Sequence, residues 1–335
     1  MTKTDHILRL GQTAIGYWTR TLKPGYLPVR MWVEPTNTCN LKCVMCPQSC
    51  DDVKFQRGFM DFALFRKIID EAKTFVYDIN LHHTGESLLH PDIIEMVRYA
   101  KDAGIYTRMH SNATKLTDDL ARGLLDAGLD FLSFSFDGFD KQTYESIRHG
   151  ANFERTVENI QTFLRLKKAR GNVRPLTVFE TIDFTAQPGT PSGLIPITPE
   201  IQEFRKQFEG LPLDKFVLKA PHNWAGRFDA NGKPLHPEKF CACTFPWYAL
   251  VVFWNGNVSP CPQDFFNNLR LGNVKESSIR EVWLGEKAVT LRKKMKTRQF
   301  QDLNPCATCD LLYRDSFLGI PTSHLKNFVR ESLGK

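Results

Sequence analysis

From residue 28 onward the chain alternates short apolar runs with longer stretches whose apolar positions recur every three or four residues. The short runs, Arg30 to Glu34, Asp78 to His82, Tyr106 to Ser111, Phe131 to Phe136, Leu176 to Ile182 and Lys215 to Lys219, read as strands. The stretches near residues 62–75, 91–103, 117–127, 140–146, 153–169 and 199–209 read as helices, several opened by Asp, Thr or Pro. Six such strand–helix units with right-handed crossovers give an α/β fold, a parallel sheet curled into an open, partial (βα)6 barrel. Chemistry in barrels of this kind sits where the loops after the strands converge.

Ahead of the barrel, residues 5–22 read as a basic amphipathic helix with Ile7, Leu8, Ile15 and Trp18 loosely on one side, ended by Pro24-Gly25. Docking onto the main domain is its expected role, with a membrane surface as the alternative. Beyond Trp224, Gly226, Asn231-Gly232, Pro234 and Pro237 make a turn-rich connector, and Phe253 to Val258 reads as a hairpin around an Asn-Gly turn. The expected division is a helix and connector over 1–28, the barrel over 29–222, a connector over 223–240, a small cysteine-rich domain over 241–315 and a tail or helix over 316–335.

Composition narrows the class. A chain of 335 residues with 42% hydrophobic content can bury one large core and a small appendage. No stretch approaches the roughly 18 apolar residues of a membrane span, and no signal peptide opens the chain, so a cytoplasmic protein without a span is expected. The formal charge of +7 is modest, and the basic runs Arg165–Arg174 and Arg292–Arg298 suit solvated helix faces better than a nucleic-acid patch. Nine cysteines in a reducing compartment point instead to metal ligation or redox chemistry.

Cys39, Cys43 and Cys46 fall within one loop directly after the first strand. Three thiolates at this spacing can hold three corners of a cubane iron–sulfur cluster, leaving one iron open to a small molecule. A zinc site would need a fourth ligand, for which Cys50 is the candidate.

The run Glu34-Pro35-Thr36-Asn37-Thr38-Cys39-Asn40-Leu41-Lys42-Cys43-Val44-Met45-Cys46-Pro47 resembles the cluster loop of the radical S-adenosylmethionine (radical SAM) superfamily. That resemblance implies S-adenosylmethionine chelated to the open iron and cleaved reductively to a 5′-deoxyadenosyl radical, which takes a hydrogen atom from the substrate. Three later segments resemble further motifs of the family. Thr84-Gly85-Glu86-Ser87 is similar to its Gly-Gly-Glu-Pro, Ser111-Asn112-Ala113 to its Thr-Asn-Gly, and Ser135-Phe136-Asp137-Gly138 to its Ser-x-Asp-Gly. The resemblance thereby implies cofactor contacts at Met45, which stands where the family usually has an aromatic residue, and at Gly85, Glu86, Ser111, Asn112, Ser135 and Asp137. For the last two motifs, capping of the following helix is the structural alternative.

Cys243, Cys261 and the Cys306-x-x-Cys309 pair supply four more thiolates, enough to close a cluster fully. With Pro246-Trp247, Gly256-Asn257-Val258-Ser259-Pro260-Cys261 and Leu271-Gly272-Asn273 beside them, they resemble a SPASM or twitch extension carrying one auxiliary [4Fe-4S] cluster. Spacing alone leaves a zinc knuckle open.

Oxidation of a small, carbohydrate-like molecule is the expected outcome, with electrons from a flavodoxin or ferredoxin and Glu180 as a candidate proton acceptor. Epimerisation is the rival and would need a hydrogen donor such as Cys241. Peptide maturation is a third possibility, against which the first 28 residues are too short for a leader-peptide recognition domain. From another class comes a zinc-structured or iron–sulfur RNA-binding or interaction protein.

Overall fold

A computed structural model describes residues 3–49, 56–171, 173–187, 190, 192–224, 240–313, 315–317 and 320–322. Six parallel strands stand side by side in chain order: β1 (Arg30–Val33), β2 (Asp78–Asn80), β3 (Tyr106–Ser111), β4 (Phe131–Ser135), β5 (Leu176–Ile182) and β6 (Lys215–Lys219). The helices between them are α2 (Phe62–Ala72), α3 (Ile93–Asp102), α4 (Asp118–Asp126), α5 (Lys141–Ile147), α6 (Phe153–Ala169) and α7 (Pro199–Lys206), following α1 (Lys3–Trp18). Four strands and helices, β3, β5, β6 and α6, begin and end where the sequence pattern places them.

Helix starts are set by side-chain caps that satisfy first-turn N–H groups. Asp61 accepts from Ala63 and Leu64 at α2, Thr117 from Leu120 at α4, Asp140 from Thr143 at α5 and Asn152 from Arg155 at α6. Thr198, ahead of Pro199, does the same for α7.

Alternation along the strands divides the sheet into two faces. Met31, Ile79, Met109, Phe134 and Phe179 join the core shared with the helices, and all are fully buried. Trp32, Asn80, Arg108, His110, Ser133 and Glu180 occupy the other face. His82, just past β2, meets His110 on β3 ring to ring on this face, and Glu180 on β5 pairs there with Lys219 on β6; with the helices covering the other face, these side chains line a lumen.

The hairpin, β7 (Ala249–Val252) and β8 (Asn257–Ser259), turns at Gly256, whose φ of +87° favours glycine. It does not stand apart from the barrel. β7 pairs in parallel with β1, Arg30 opposite Ala249, so the sheet continues through β8 to β9 (Gly272–Asn273) as nine strands. Alternation cannot reveal such an edge pairing, because it sets which face a residue takes and not which strand lies next.

The N-terminal helix departs from expectation in orientation. It docks across the N-terminal ends of the strands, with His6 stacked on Tyr77 at 3.7 Å and Tyr17 edge-on to Trp247. Gly16 lets the helix approach Tyr26, where a Cβ would lie 2.3 Å from the phenol oxygen. The face used is therefore small and aromatic, and Ile7, Leu8, Ile15 and Trp18 point outward. Among the described residues no helix is long and apolar enough to cross a membrane.

Candidate active site

The loop after β1 is tied down before its first cysteine. Buried Glu34 accepts from the Thr84 hydroxyl and N–H through one oxygen and from the Trp254 N–H through the other. This joins the ends of β1 and β2 to the β7–β8 hairpin. Thr36 donates to the Gly58 carbonyl at 2.6 Å and accepts from the Thr38 N–H. The Glu86 N–H donates to the Thr38 carbonyl at 2.9 Å, and a Cβ on Gly85 would lie 2.3 Å from the Thr36 carbonyl oxygen. Only glycine permits two backbones so close.

Cys39 and Cys46 are half-buried and Cys43 is buried. The loop is fixed further on by a two-residue antiparallel ladder in which Lys42 and Cys43 pair with His149 and Arg148. This ladder aims Arg148 at the thiol, with Nη1 3.9 Å from Cys43 Sγ and Nη2 2.6 Å from Asp137 Oδ2. Burial pushes the thiols of Cys39 and Cys43 up to about 11, and at Cys43 the Arg148 guanidinium opposes it. Desolvated thiols gain most from a ligand that brings positive charge.

Glu86 is buried, and its carboxylate accepts from the N–H of Leu88, the Ser111 hydroxyl and the N–H of Asn112. Burial raises its pKa and these bonds counter the shift. Ser111 thus holds Glu86, joining the loops after β2 and β3. The Asn112 amide points at Asn40 and lies 4.0 Å from Cys39 Sγ. Ala113 has φ +59°, the left-handed region in which the similar family motif carries glycine. Asp137 accepts from the Ile182 N–H at 2.8 Å besides pairing with Arg148, and Ser135 is opposite Glu180 in register. Met45 is buried with Leu41, Cys43 and Trp224.

Cys243, Cys261, Cys306 and Cys309 come together from the two ends of the C-terminal segment. Burial raises the Cys261 and Cys306 thiols, and proximity to other thiols of the set raises them again. Asp264 organises the turn after Cys261, accepting from the Ser259 hydroxyl and the N–H groups of Asn268 and Leu269. Asn223, just past β6, bonds to Asp310 and to the Thr308 carbonyl, anchoring the Cys306–Cys309 loop to the barrel. Among the described residues no three His, Cys, Asp or Glu side chains converge on a point suited to a single metal ion. Thiols that are buried or half-buried and gathered in two groups are the donor set that a cubane iron–sulfur cluster takes. Cys50, the fourth ligand that a zinc reading of the first loop would use, lies outside the described residues.

Residues 33–181 match the radical SAM superfamily, and residues 241–310 match the SPASM iron-sulfur cluster-binding domain. This chain belongs to the radical SAM superfamily. It is 26% identical over 320 residues to the tungsten-containing aldehyde ferredoxin oxidoreductase cofactor-modifying protein of Pyrococcus furiosus, covering 84% of this chain and 87% of that one. It is also similar in fold to Streptococcus suis SuiB bound to precursor peptide SuiA, with TM-score 0.62, 16% identity and coverage of 93% and 75%. BtrN in complex with AdoMet and 2-DOIA is a further likeness, with TM-score 0.55, 20% identity and coverage of 84% and 93%. The cofactors of this radical SAM enzyme are S-adenosylmethionine, the [4Fe-4S] cluster that binds it and an auxiliary cluster of the SPASM type.

Beneath the first loop the lumen of the radical SAM barrel is polar. The rings of His82 and His110 lie 4.3 Å apart, and His110 is opposite Ser133 in register. Burial lowers the pKa of both imidazoles, that of His110 to about 3, so both are neutral. Glu180, the acid singled out from sequence, pairs with Lys219 at 2.7 Å. Two buried atoms here, His82 Nδ1 and Ser133 Oγ, have no hydrogen-bond partner among the described residues. Cys241 takes its described neighbours elsewhere: its thiol lies 3.6 Å from the Tyr17 hydroxyl, and its N–H donates to Leu312.

His83 links the two halves of the enzyme. Its Nε2 is 2.9 Å from the Pro262 carbonyl, next to Cys261, while Nδ1 faces Glu34 at 3.4 Å. Phe265 stacks on His83 and also packs into the apolar cluster around Cys43 and Met45. Sequence reasoning missed Arg148, His82, His83 and His110. The two lumen histidines were accessible from it, because they fall on the alternate, polar positions at the ends of strands; Arg148 was not, since a two-residue ladder leaves no periodic trace.

Proposed function

We propose that this enzyme oxidises a small polyhydroxylated molecule held in the barrel lumen, removing one hydrogen atom from carbon and one proton from the attached oxygen. The observation that carries the proposal is the pair of unpartnered buried atoms, His82 Nδ1 and Ser133 Oγ, below the cluster loop. Buried polar atoms left without partners are costly, and substrate hydroxyls would satisfy them.

When bound, the cofactors supply hydrogen-atom abstraction at the first site and an electron acceptor at the second. The thiols of Cys39, Cys43 and Cys46 would hold the first cluster, and those of Cys243, Cys261, Cys306 and Cys309 the auxiliary one. The backbone at Gly85 and the side chains of Glu86, Asn112, Ser135 and Asp137 would shape the S-adenosylmethionine pocket, with Met45 along its apolar side.

The chain's own part in the chemistry is proton transfer and positioning. His82, kept neutral by burial, has a lone pair free to take the hydroxyl proton. Glu180 is engaged by Lys219 and serves to orient the substrate. Cys241, packed on Tyr17, is poorly placed to return a hydrogen atom, which favours oxidation over epimerisation. Low-potential electrons would come from a flavodoxin or ferredoxin in the cytoplasm. BtrN, whose structure contains 2-DOIA, supports a small-molecule substrate, while SuiB with its precursor peptide supports a peptide one.

The test is anaerobic reconstitution with iron and sulfide, followed by incubation with S-adenosylmethionine, reductant and fractions of polar metabolites in deuterated water. A fraction that raises 5′-deoxyadenosine output and yields a product lacking two hydrogens is the expected result. A product of unchanged composition carrying solvent deuterium would establish epimerisation, and turnover with peptides alone would overturn the small-molecule reading. In His82→Gln, formation of 5′-deoxyadenosine should persist while product formation falls and its pH profile changes.

A further inference from the structure

We infer that the outward face of α1 is a docking surface for an anionic lipid bilayer, holding the enzyme at a membrane with its barrel mouth turned away. Ile7, Leu8, Ile15 and Trp18 are 46%, 62%, 63% and 66% exposed. At 3.6 residues per turn they fall, with Gly11 between them, within an arc of about 100°. An aligned stripe of large apolar side chains on a helix whose other face is fully used is not the scatter of single apolar residues that any surface carries.

The opposite face is committed to the protein. His6 stacks on Tyr77, Arg9 donates to the Thr74 carbonyl at 3.3 Å, Gly16 meets Tyr26 and the Tyr17 hydroxyl donates to Ala242 at 2.7 Å. The helix therefore cannot roll its stripe inward without losing these contacts.

Charge decides the occupant. Arg9 and Arg20 turn inward to the Thr74 and Tyr17 carbonyls, and the exposed Lys23 follows the end of the helix. Beside the stripe opens a cleft of about 620 Å³ whose wall includes Leu8, Arg9, Lys73 and Arg280 against the acid Asp5, with Lys73 also paired to Asp70 at 2.9 Å. Leu8 belongs to both features, so an apolar edge and a cationic hollow are continuous. An interfacial helix uses this combination, inserting apolar side chains below the headgroups while cations meet lipid phosphates, and tryptophan favours that boundary. A second copy of the chain would bring the same cations against each other. Because α1 crosses the N-terminal ends of the strands, a bilayer there leaves the opposite, C-terminal end open to substrate and electron donor.

The experiment is vesicle flotation of the full-length protein with phosphatidylcholine alone and with phosphatidylcholine mixed with phosphatidylglycerol, at low and high salt. Binding to the mixed vesicles is expected, weakened by salt. The doubly exposed variant Leu8→Gln, Trp18→Gln should lower affinity at least about tenfold while its melting curve stays that of the parent. Arg280→Gln should lower it about fivefold, the usual contribution of one cation at an anionic surface. No binding to mixed vesicles, or binding that the double variant leaves unchanged, would overturn the inference. So would a concentration-dependent dimer in the parent that the same variant abolishes, since the stripe would then cover a second copy.

Discussion

Arg148 touches Cys43 with one guanidinium nitrogen, 3.9 Å from the sulfur, and Asp137 with the other, at 2.6 Å. A cation is thereby held against one thiol of the first site by an acid from the end of β4, although the three residues are dispersed along the chain. The pair is almost wholly buried, with side chains 8% and 1% exposed. Its members are worth keeping only together, because either charge alone would be stranded in a poor solvent.

Replacing Arg148 by methionine should accordingly destabilise the protein by about 3–5 kcal/mol, the usual cost of breaking a buried pair. The second variant, Arg148→Met with Asp137→Asn, should recover much of that loss while keeping an acceptor for the Ile182 N–H. In the single variant, removing a positive charge beside the first cluster should shift its midpoint potential to more negative values, measured by a redox titration followed by electron paramagnetic resonance, and the shift should be smaller in the double variant, where the Asp137 charge is lost as well. A potential unchanged in both variants would show that Arg148 has no electrostatic hold on the cluster.

At Gly85 the expected effect is on the site and not on the sheet. Alanine would place a methyl group 2.3 Å from the Thr36 carbonyl oxygen and 2.7 Å from that of Thr38, both backbone atoms that cannot swing aside. Gly85→Ala should retain its helix and sheet signal in circular dichroism but lose S-adenosylmethionine cleavage. Wild-type cleavage by this variant would mean that the loop yields freely.

Acid sensitivity should trace in part to the lumen. Burial, with Lys219 and Arg108 adding to it, holds His110 down to about 3, against 6.5 for an ordinary imidazole. Below about pH 6.5 the unfolded chain takes up a proton that the folded chain refuses, so the contribution is complete above that pH and drains away as pH falls toward 3. The melting temperature of His110→Gln should therefore fall less than that of the parent between about pH 7 and about pH 5. Parallel curves for the two proteins would show that His110 titrates normally.

Cys306→Ser should separate the two clusters. Iron per chain should drop from roughly eight atoms to roughly four after reconstitution, with cleavage of S-adenosylmethionine retained. If the variant kept the full iron content, Cys306 would not be a ligand.

The barrel was legible in the sequence because its information is local. Alternation along β3, β5 and β6 and the Asp, Thr and Asn caps of the helices depend on neighbours a few residues away, and these elements appear where the pattern puts them. The cysteine spacings were legible for the same reason, since each first-site thiol lies within one loop. Helix α1 was recognisable as amphipathic, but which side it buries depended on Gly16, Tyr26 and Trp247, which its periodicity does not describe.

What the amino-acid order determined alone is thus a radical SAM chain with two groups of thiols and a run of parallel strands. Tertiary structure decided the rest: that β7 adds to the edge of β1, that Arg148 meets Cys43, that His82, His110 and Ser133 share a lumen, and that His83 reaches the loop after Cys261. Hydrophobic period records which side of an element faces the core, and it carries no term for the distant side chain across the gap. That choice is made by sheet curl and strand register, which exist only once the chain has closed on itself.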